Sequence, residues 1–357
     1  MKTSANRKMK LNDQQLTLDA SQVSELYHKL TLELFDQVVD RLLERGSVSL
    51  AENPYIWQLE KMNQMGLLNE ENVKLIAEYS GIAEKQLRHV IENEGYKVYK
   101  TTRDQLAETL GADDLDDNLE IQNNLAGYAN QALGDVNNLI NSTLPESVRS
   151  VFQSVIEESV GKVVTGITTP ERALNETIMK WFEKGFYGFT DSQGKQWKAD
   201  SYARTIIRST VKRAFREMRT APAKEFDIDT FYFSKKATAR EACAPLQHQI
   251  VTYGPQREED GITILSMADH GYGTPAGCLG INCGHDITPF VVGFNELPDL
   301  GPDVKDISPS EAIANANAQA KQRALERSIR DSKEKLHIAN KLGDKDLIDC
   351  LLYTSPS

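Results

Sequence analysis

The stretch SYARTIIRSTVKRAFREMRTAPAKEFDIDTFYF, residues 201–233, changes its period partway along. Ile207, Val211, Ala214, Phe215 and Met218 recur at spacings of three and four, which predicts one apolar face of a helix over about Ser201–Thr220. Pro222 is expected to end it, because proline lacks the N–H that the next turn needs. From Phe226 to Phe233 apolar residues alternate with polar ones, the signature of a strand. A long amphipathic helix feeding a short strand points to an α+β fold. The same helix carries Arg204, Arg208, Lys212 and Arg216 four apart, with Arg213 and Arg219 beside them. Four-residue spacing drifts slowly around a helix, so these cations form a stripe. They suit either a solvated face or contact with phosphate or an acidic partner.

Upstream the pattern is almost entirely helical. Val23, Leu26, Tyr27, Leu30, Leu34, Val38 and Leu42 form a stripe that begins after Ser21 and stops before Gly46. Residues 1–19 are polar and expected to fray. Further helices are expected from Pro54, from Asn69 to Gly81, and from Ala83 to about Glu94. An acidic break at 111–118 separates them from helical patterning over about Leu119–Val164, interrupted near Pro145. Thr169-Pro170-Glu171 is a helix start: threonine caps, proline suits the first position, and glutamate faces the positive end of the dipole. Gly185 to Asp200 reads as a hairpin or tight excursion, with Asp191-Ser192-Gln193-Gly194 as its turn. No chemistry is visible in the first 165 residues.

Downstream, seven glycines fall between Gly254 and Gly284, and residues 295–310 form a linker rich in Pro, Asp and Ser. No breaker interrupts Glu311–Leu342, which is expected to be helical. Three of the four cysteines and three of the six histidines lie within 243–285. Cys243, His248, Cys283 and His285 are soft thiolate and imidazole donors that suit zinc. Their spacing includes no Cys-x-x-Cys pair. Reduced cysteines packed as small apolar side chains are the plainer alternative, and a Cys–His nucleophile is a third. The run from His270 to Gly277 is not a phosphate loop, since no Gly-Lys-Ser/Thr follows; its glycines fit positive φ and close backbone approach.

Length and composition narrow the classes. The 357 residues suffice for two or three domains. No window approaches a membrane-spanning apolar run, and the N-terminus lacks the apolar core of a secretory signal. Four cysteines do not make a disulfide scaffold. The net charge of -11 argues against general coating of nucleic acid, yet it is uneven. Residues 1–160 hold 15 Lys and Arg against 26 Asp and Glu, 161–240 hold 16 against 9, and 241–357 hold 10 against 17.

The order Ala239-Arg240, Gln247, Tyr253-Gly254, Gly271-Tyr272-Gly273, Gly280-Ile281-Asn282-Cys283-Gly284-His285 and Pro289-Phe290 resembles the minor capsid proteins of tailed bacteriophages. These are the minor capsid protein 2 type, related to Mu-F-like head morphogenesis proteins. The Asp191…Gly194…Trp197 excursion, the Tyr202-Ala203-Arg204-Thr205 helix start and the run from Gln322 to Arg330 share the likeness. It covers about 170–335. Two positions depart from the family pattern: Leu246-Gln247-His248 where Trp-Gln-Gly is usual, and Gly284 where arginine often follows Asn-Cys. The resemblance implies a structural, non-catalytic virion component inside the head, made in the host cytoplasm. It implies binding to the portal and other head proteins, with packaged double-stranded DNA as a further candidate contact. Against it stands a zinc-dependent nuclease or hydrolase built on the Cys/His set.

The expected division is a helical region over 1–165, a head-morphogenesis α+β domain over 166–295, and a linker with a C-terminal helix over 296–349. Residues 350–357 resemble translated adapter read-through and are expected to be non-native, which leaves Cys350 without weight.

Overall fold

A computed structural model of the chain describes residues 4–44, 46–112, 119–138, 143–190, 194, 196–281 and 283–354. Most of the acidic break, the Asp191-Ser192-Gln193 turn and Asn282 lie outside the described residues. The helices are α1 (Ser4–Leu43), α2 (Gly46–Glu52), α3 (Pro54–Arg88), α4 (Gly95–Leu110), α5 (Leu119–Asn138), α6 (Leu144–Val164), α7 (Pro170–Lys184), α8 (Ala199–Glu225), α9 (Pro309–Leu342) and α10 (Lys345–Thr354). The strands are β1 (Tyr187–Thr190), β2 (Gln196–Lys198), β3 (Thr230–Phe233), β4 (Ile250–Thr252), β5 (Arg257–Glu259), β6 (Ile262–Ser266) and β7 (Ile287–Pro289). The fold is α+β, helical through its N-terminal half and again at its C-terminal end.

The chain forms two compact units, each gathered from three segments. One gathers Met1–Ala20, Leu87–Gln131 and Ile207–Arg323; the other gathers Ser21–Gln86, Ala132–Ile206 and Ala324–Ser357.

The second of these, the helical unit, buries the stripe expected from sequence. Val23, Tyr27, Leu30, Leu34, Val38 and Leu42 of α1 are all in its core, with Trp57, Phe152, Val155 and Ile178. Helices α6 and α7 pack on each other, and α2 packs against α7. The start of α7 is as expected: the Thr169 hydroxyl accepts from the Arg172 N–H at 3.4 Å, and Gly185 closes the helix at φ 70°. Strands β1 and β2 form the expected antiparallel hairpin. Lys61 was silent in the sequence. It is buried, and its ammonium donates to the carbonyls of Arg41 and Glu44 at the C-terminus of α1. It supplies donors to carbonyls that have no partner within their own helix.

Four boundaries differ from expectation. Helix α1 starts at Ser4, so residues expected to fray are helical. The separate helices expected between Pro54 and Glu94 are not separate in the chain: α3 runs through Gly66 and Gly81, a π-helical turn covers His89–Glu94, and α4 follows from Gly95. A glycine costs a helix only about 1 kcal/mol relative to alanine, and packing outweighs that here. Helix α8 passes through the buried Pro222 and stops at Glu225. The following strand is accordingly shorter, because Asp227 turns the chain at φ 56° before β3 begins at Thr230.

The other unit, the sheet unit, holds a five-stranded sheet in the order β5-β6-β4-β3-β7. All its pairs are antiparallel except β4 with β6. The register sets Phe231, Val251 and Leu265 on one face, and Tyr232, Ile250 and Ile264 on the other. The first face packs on Ala223 of α8, Ala312 of α9, Leu246, Met267 and all three clustered cysteines. The second face has a smaller core of Ile250, Ile264 and Phe290. Helix α9 opens with a capping box: the Glu311 carboxylate accepts from the Ser308 N–H at 2.8 Å, and the Ser308 hydroxyl accepts from the Glu311 N–H at 3.3 Å.

Candidate functional site

The sheet unit brings Cys243, Cys283 and His285 together beneath its first face. Each is at most 3% exposed. Cys243 ends a turn closed by its N–H donating to the Arg240 carbonyl at 2.9 Å. Cys283 and His285 lie between the glycine loop and β7. The sulfurs of Cys243 and Cys283 are 3.6 Å apart, and the Cys283 sulfur is 3.5 Å from Nδ1 of His285. The His285 N–H also points at the Cys283 sulfur, at 3.4 Å. On the far side of the ring, Nε2 is 3.2 Å from Oε1 of Gln247, and that oxygen also accepts from the Lys236 N–H at 2.6 Å. An amide oxygen can only accept, so Nε2 carries a proton, and Nδ1 faces the Cys283 sulfur. The hydrogen bond from Cys243, then that with His285, holds the Cys283 thiol well below the ordinary thiol range; the same pairing pushes Cys243 up.

His248 does not join them. It sits in the left-handed region at φ 61°, and its Nδ1 meets the Tyr232 hydroxyl at 3.1 Å. Tyr232 belongs to the opposite face of the sheet. Of the four expected metal ligands, three converge and His248 is apart. Cys278 packs in the same core with its sulfur toward the Met267 carbonyl.

The glycine loop folds back on itself. Gly271 and Gly273 take φ of 71° and 88°, and a Cβ on Gly280 would stand 2.5 Å from the Pro275 carbonyl oxygen. Both uses of glycine read from the sequence are therefore present. What fixes this loop is two cations of the basic stripe together with Arg240. Lys212 donates to the Cys283 carbonyl at 2.8 Å, Arg216 to the Leu279 carbonyl at 2.7 Å, and Arg240 to the Gly277 carbonyl at 3.1 Å. Arg219 is buried 3.9 Å from the Asp286 carboxylate, which Lys236 approaches to 3.7 Å. Burial works against ionisation of Asp286, but Arg219, Lys236 and Lys212 together hold its carboxylate below the usual range. Burial likewise lowers the Lys212 ammonium.

The six expected contact cations thus have different surroundings. Lys212, Arg216 and Arg219 turn inward to the sheet unit. Arg204 lies in the helical unit, half-buried, 4.0 Å from Glu25. Arg213 is exposed over the Tyr128 ring and donates to Gln131. Arg208 is exposed.

The helical unit holds a second polar cluster that sequence reasoning missed. His28 of α1 is 3.0 Å from Asp200 through Nδ1 and 2.8 Å from Glu334 through Nε2, with its side chain 12% exposed. The hydrogen bonds to Asp200 and Glu334 raise its pKa to about 9, so it is an imidazolium at neutral pH. Its partners are 172 and 306 residues away, and no local spacing signals them.

The chain also has a clear set of relatives. A family described as phage minor capsid protein 2 matches residues 11–350. A structural protein of Lactococcus phage LL-H is 29% identical over 337 residues, which span 91% of this chain and 89% of that protein. A structural protein of Lactococcus phage mv4 is 40% identical over 82 residues, 23% of this chain and 63% of that protein. No solved structure matches the chain. Among the described residues no helix is long and apolar enough to cross a membrane. The first cysteine, the glycine loop and the Cys283–His285 pair all fall inside the matched span, and the chain belongs to the phage minor capsid protein 2 family.

Proposed function

We propose that the protein is a minor head component that docks on the portal inside the capsid and serves assembly or genome delivery. It would meet the portal and other head proteins in the host cytoplasm and stay in the virion. The observation that carries this reading is the match over residues 11–350, joined to a relative named as a structural protein over 91% of the chain. The geometry is consistent with a non-catalytic role. Cys243, Cys283 and His285 are buried among the described residues, which disfavours approach of a scissile bond to them. A nuclease or hydrolase needs a position open to substrate and water.

The basic stripe supports only a narrow DNA contact. Three of its six cations serve the sheet unit, which leaves Arg208 and Arg213 as the exposed ones. Two phosphate contacts give a weak, salt-sensitive attachment. A protein partner is therefore favoured over DNA.

Co-expression with the cognate portal protein tests the reading. Stable co-purification of the two at moderate salt is expected, and complete separation under assembly conditions contradicts it. In parallel, retention on DNA that survives charge reversal at both Arg208 and Arg213 would remove these residues as the DNA contact.

A further inference from the structure

The three converging donors have the geometry of a metal site rather than of packed thiols alone. In a tetrahedral zinc site, Zn–S of about 2.3 Å and Zn–N of about 2.0–2.1 Å put two sulfurs about 3.8 Å apart and a sulfur and a nitrogen about 3.6 Å apart. The observed separations are 3.6 Å between the sulfurs and 3.5 Å between the Cys283 sulfur and Nδ1. All three donor atoms lie within 4.8 Å of one another. Nδ1 is the nitrogen left free by the hydrogen bond to Gln247, and a ligating imidazole is normally fixed by such a bond on its other nitrogen. The N–H of His285 directed at the Cys283 sulfur favours a thiolate there. A relay of hydrogen bonds, from the Cys243 thiol to Cys283 and from the Cys283 thiol to Nδ1, fits both distances as well, so the metal reading is carried by the convergence of all three donor atoms with the ring fixed from behind by Gln247.

From this geometry we infer that Cys243, Cys283 and His285 bind one structural zinc ion, with Gln247 as the positioning residue behind His285. The ion would tie the turn at 240–247 to the segment after the glycine loop, across 40 residues of chain. Three protein donors leave one tetrahedral position, which a water trapped with the ion would fill; burial of the donors keeps substrate from that position. Burial of all three donors makes the site closed, and its effect is on folding. His248 is outside the set. The inference is independent of portal docking, since a head protein and an enzyme alike can use such an ion.

The test uses the full chain, expressed with zinc in the medium and purified under reducing conditions without chelator. About one zinc per chain is expected by elemental analysis, and cobalt exchanged into the site should show thiolate charge-transfer and tetrahedral ligand-field absorption. Cys243→Ser and Cys283→Ser should each lose that cobalt spectrum. His248→Gln should retain both metal and spectrum. Gln247→Ala should weaken metal affinity about 10- to 100-fold. Should the cysteine variants fail to fold, the wild-type spectrum and the His248→Gln variant still decide. Absence of metal with Cys243 and Cys283 titrating as free thiols overturns the inference. So does a Cys243–Cys283 disulfide without metal, or loss of the metal in His248→Gln.

Discussion

Replacing His28 by alanine is expected to destabilise the helical unit by about 3 kcal/mol at pH 6, because it leaves two largely buried carboxylates facing each other without the cation between them. Asp200 and Glu334 are each within 3.0 Å of the ring, and His28 is 12% exposed. The imidazolium joins α1, the first turn of α8 and the later part of α9. The same cluster dictates a pH dependence with a definite sign. The folded pKa of His28 is raised to about 9 from an ordinary 6.5, so the folded state holds the proton more tightly than the unfolded chain. The stabilisation is fully present below about pH 6.5 and is lost as the pH climbs to about 9. The shift corresponds to about 3 kcal/mol. Other groups titrate in this range, so the informative quantity is the difference between wild type and His28→Gln in denaturant unfolding at pH 6 and pH 10. That difference should shrink by about 3 kcal/mol between the two. A difference that stays constant would show that the cluster carries no coupled proton.

Gly277→Ala should be the most damaging single-methyl change in the sheet unit. A Cβ there would stand 1.8 Å from the Gly271 carbonyl oxygen and 2.4 Å from its carbon. Both are backbone atoms, so no side chain can swing aside, and the loop must open. A loss of about 3 kcal/mol is expected, the upper end for overpacking. Gly273→Ala is the matched control. Its φ of 88° is costly for alanine, but no atom lies within 4 Å of the added methyl, so about 1–2 kcal/mol is expected. Equal unfolding midpoints for the two variants would mean that the loop is loose and its hydrogen bonds incidental.

The sequence was informative where period and local chemistry decide structure. The stripe from Val23 to Leu42, the Thr169 cap and the existence, though not the bounds, of a long helix followed by a strand were readable because each depends on neighbours within a few residues. Gly66, Gly81 and Pro222 misled because packing along a long helix outweighs the propensity of one residue. Most of the sheet was hidden, since strands of three residues such as β4 and β7 are too short to show a period. The Cys/His set was legible as composition, but its membership was not: Cys243 and His248 look like one local pair, yet they serve opposite faces. The basic stripe was legible as a stripe, while nothing in its spacing says that Lys212, Arg216 and Arg219 face carbonyls and a carboxylate of their own unit.

The inward role of those α8 cations is tested most directly by amide hydrogen exchange over residues 271–285, comparing wild type with Arg216→Met and with Arg213→Gln. Removing the Arg216 bond to the Leu279 carbonyl should speed exchange there by about tenfold or more, since a charge-assisted hydrogen bond is worth about 1.5–3 kcal/mol. The exposed Arg213 should leave that segment unchanged. Unaltered protection in Arg216→Met, or equal loss in both variants, would contradict a loop held from within by the helix.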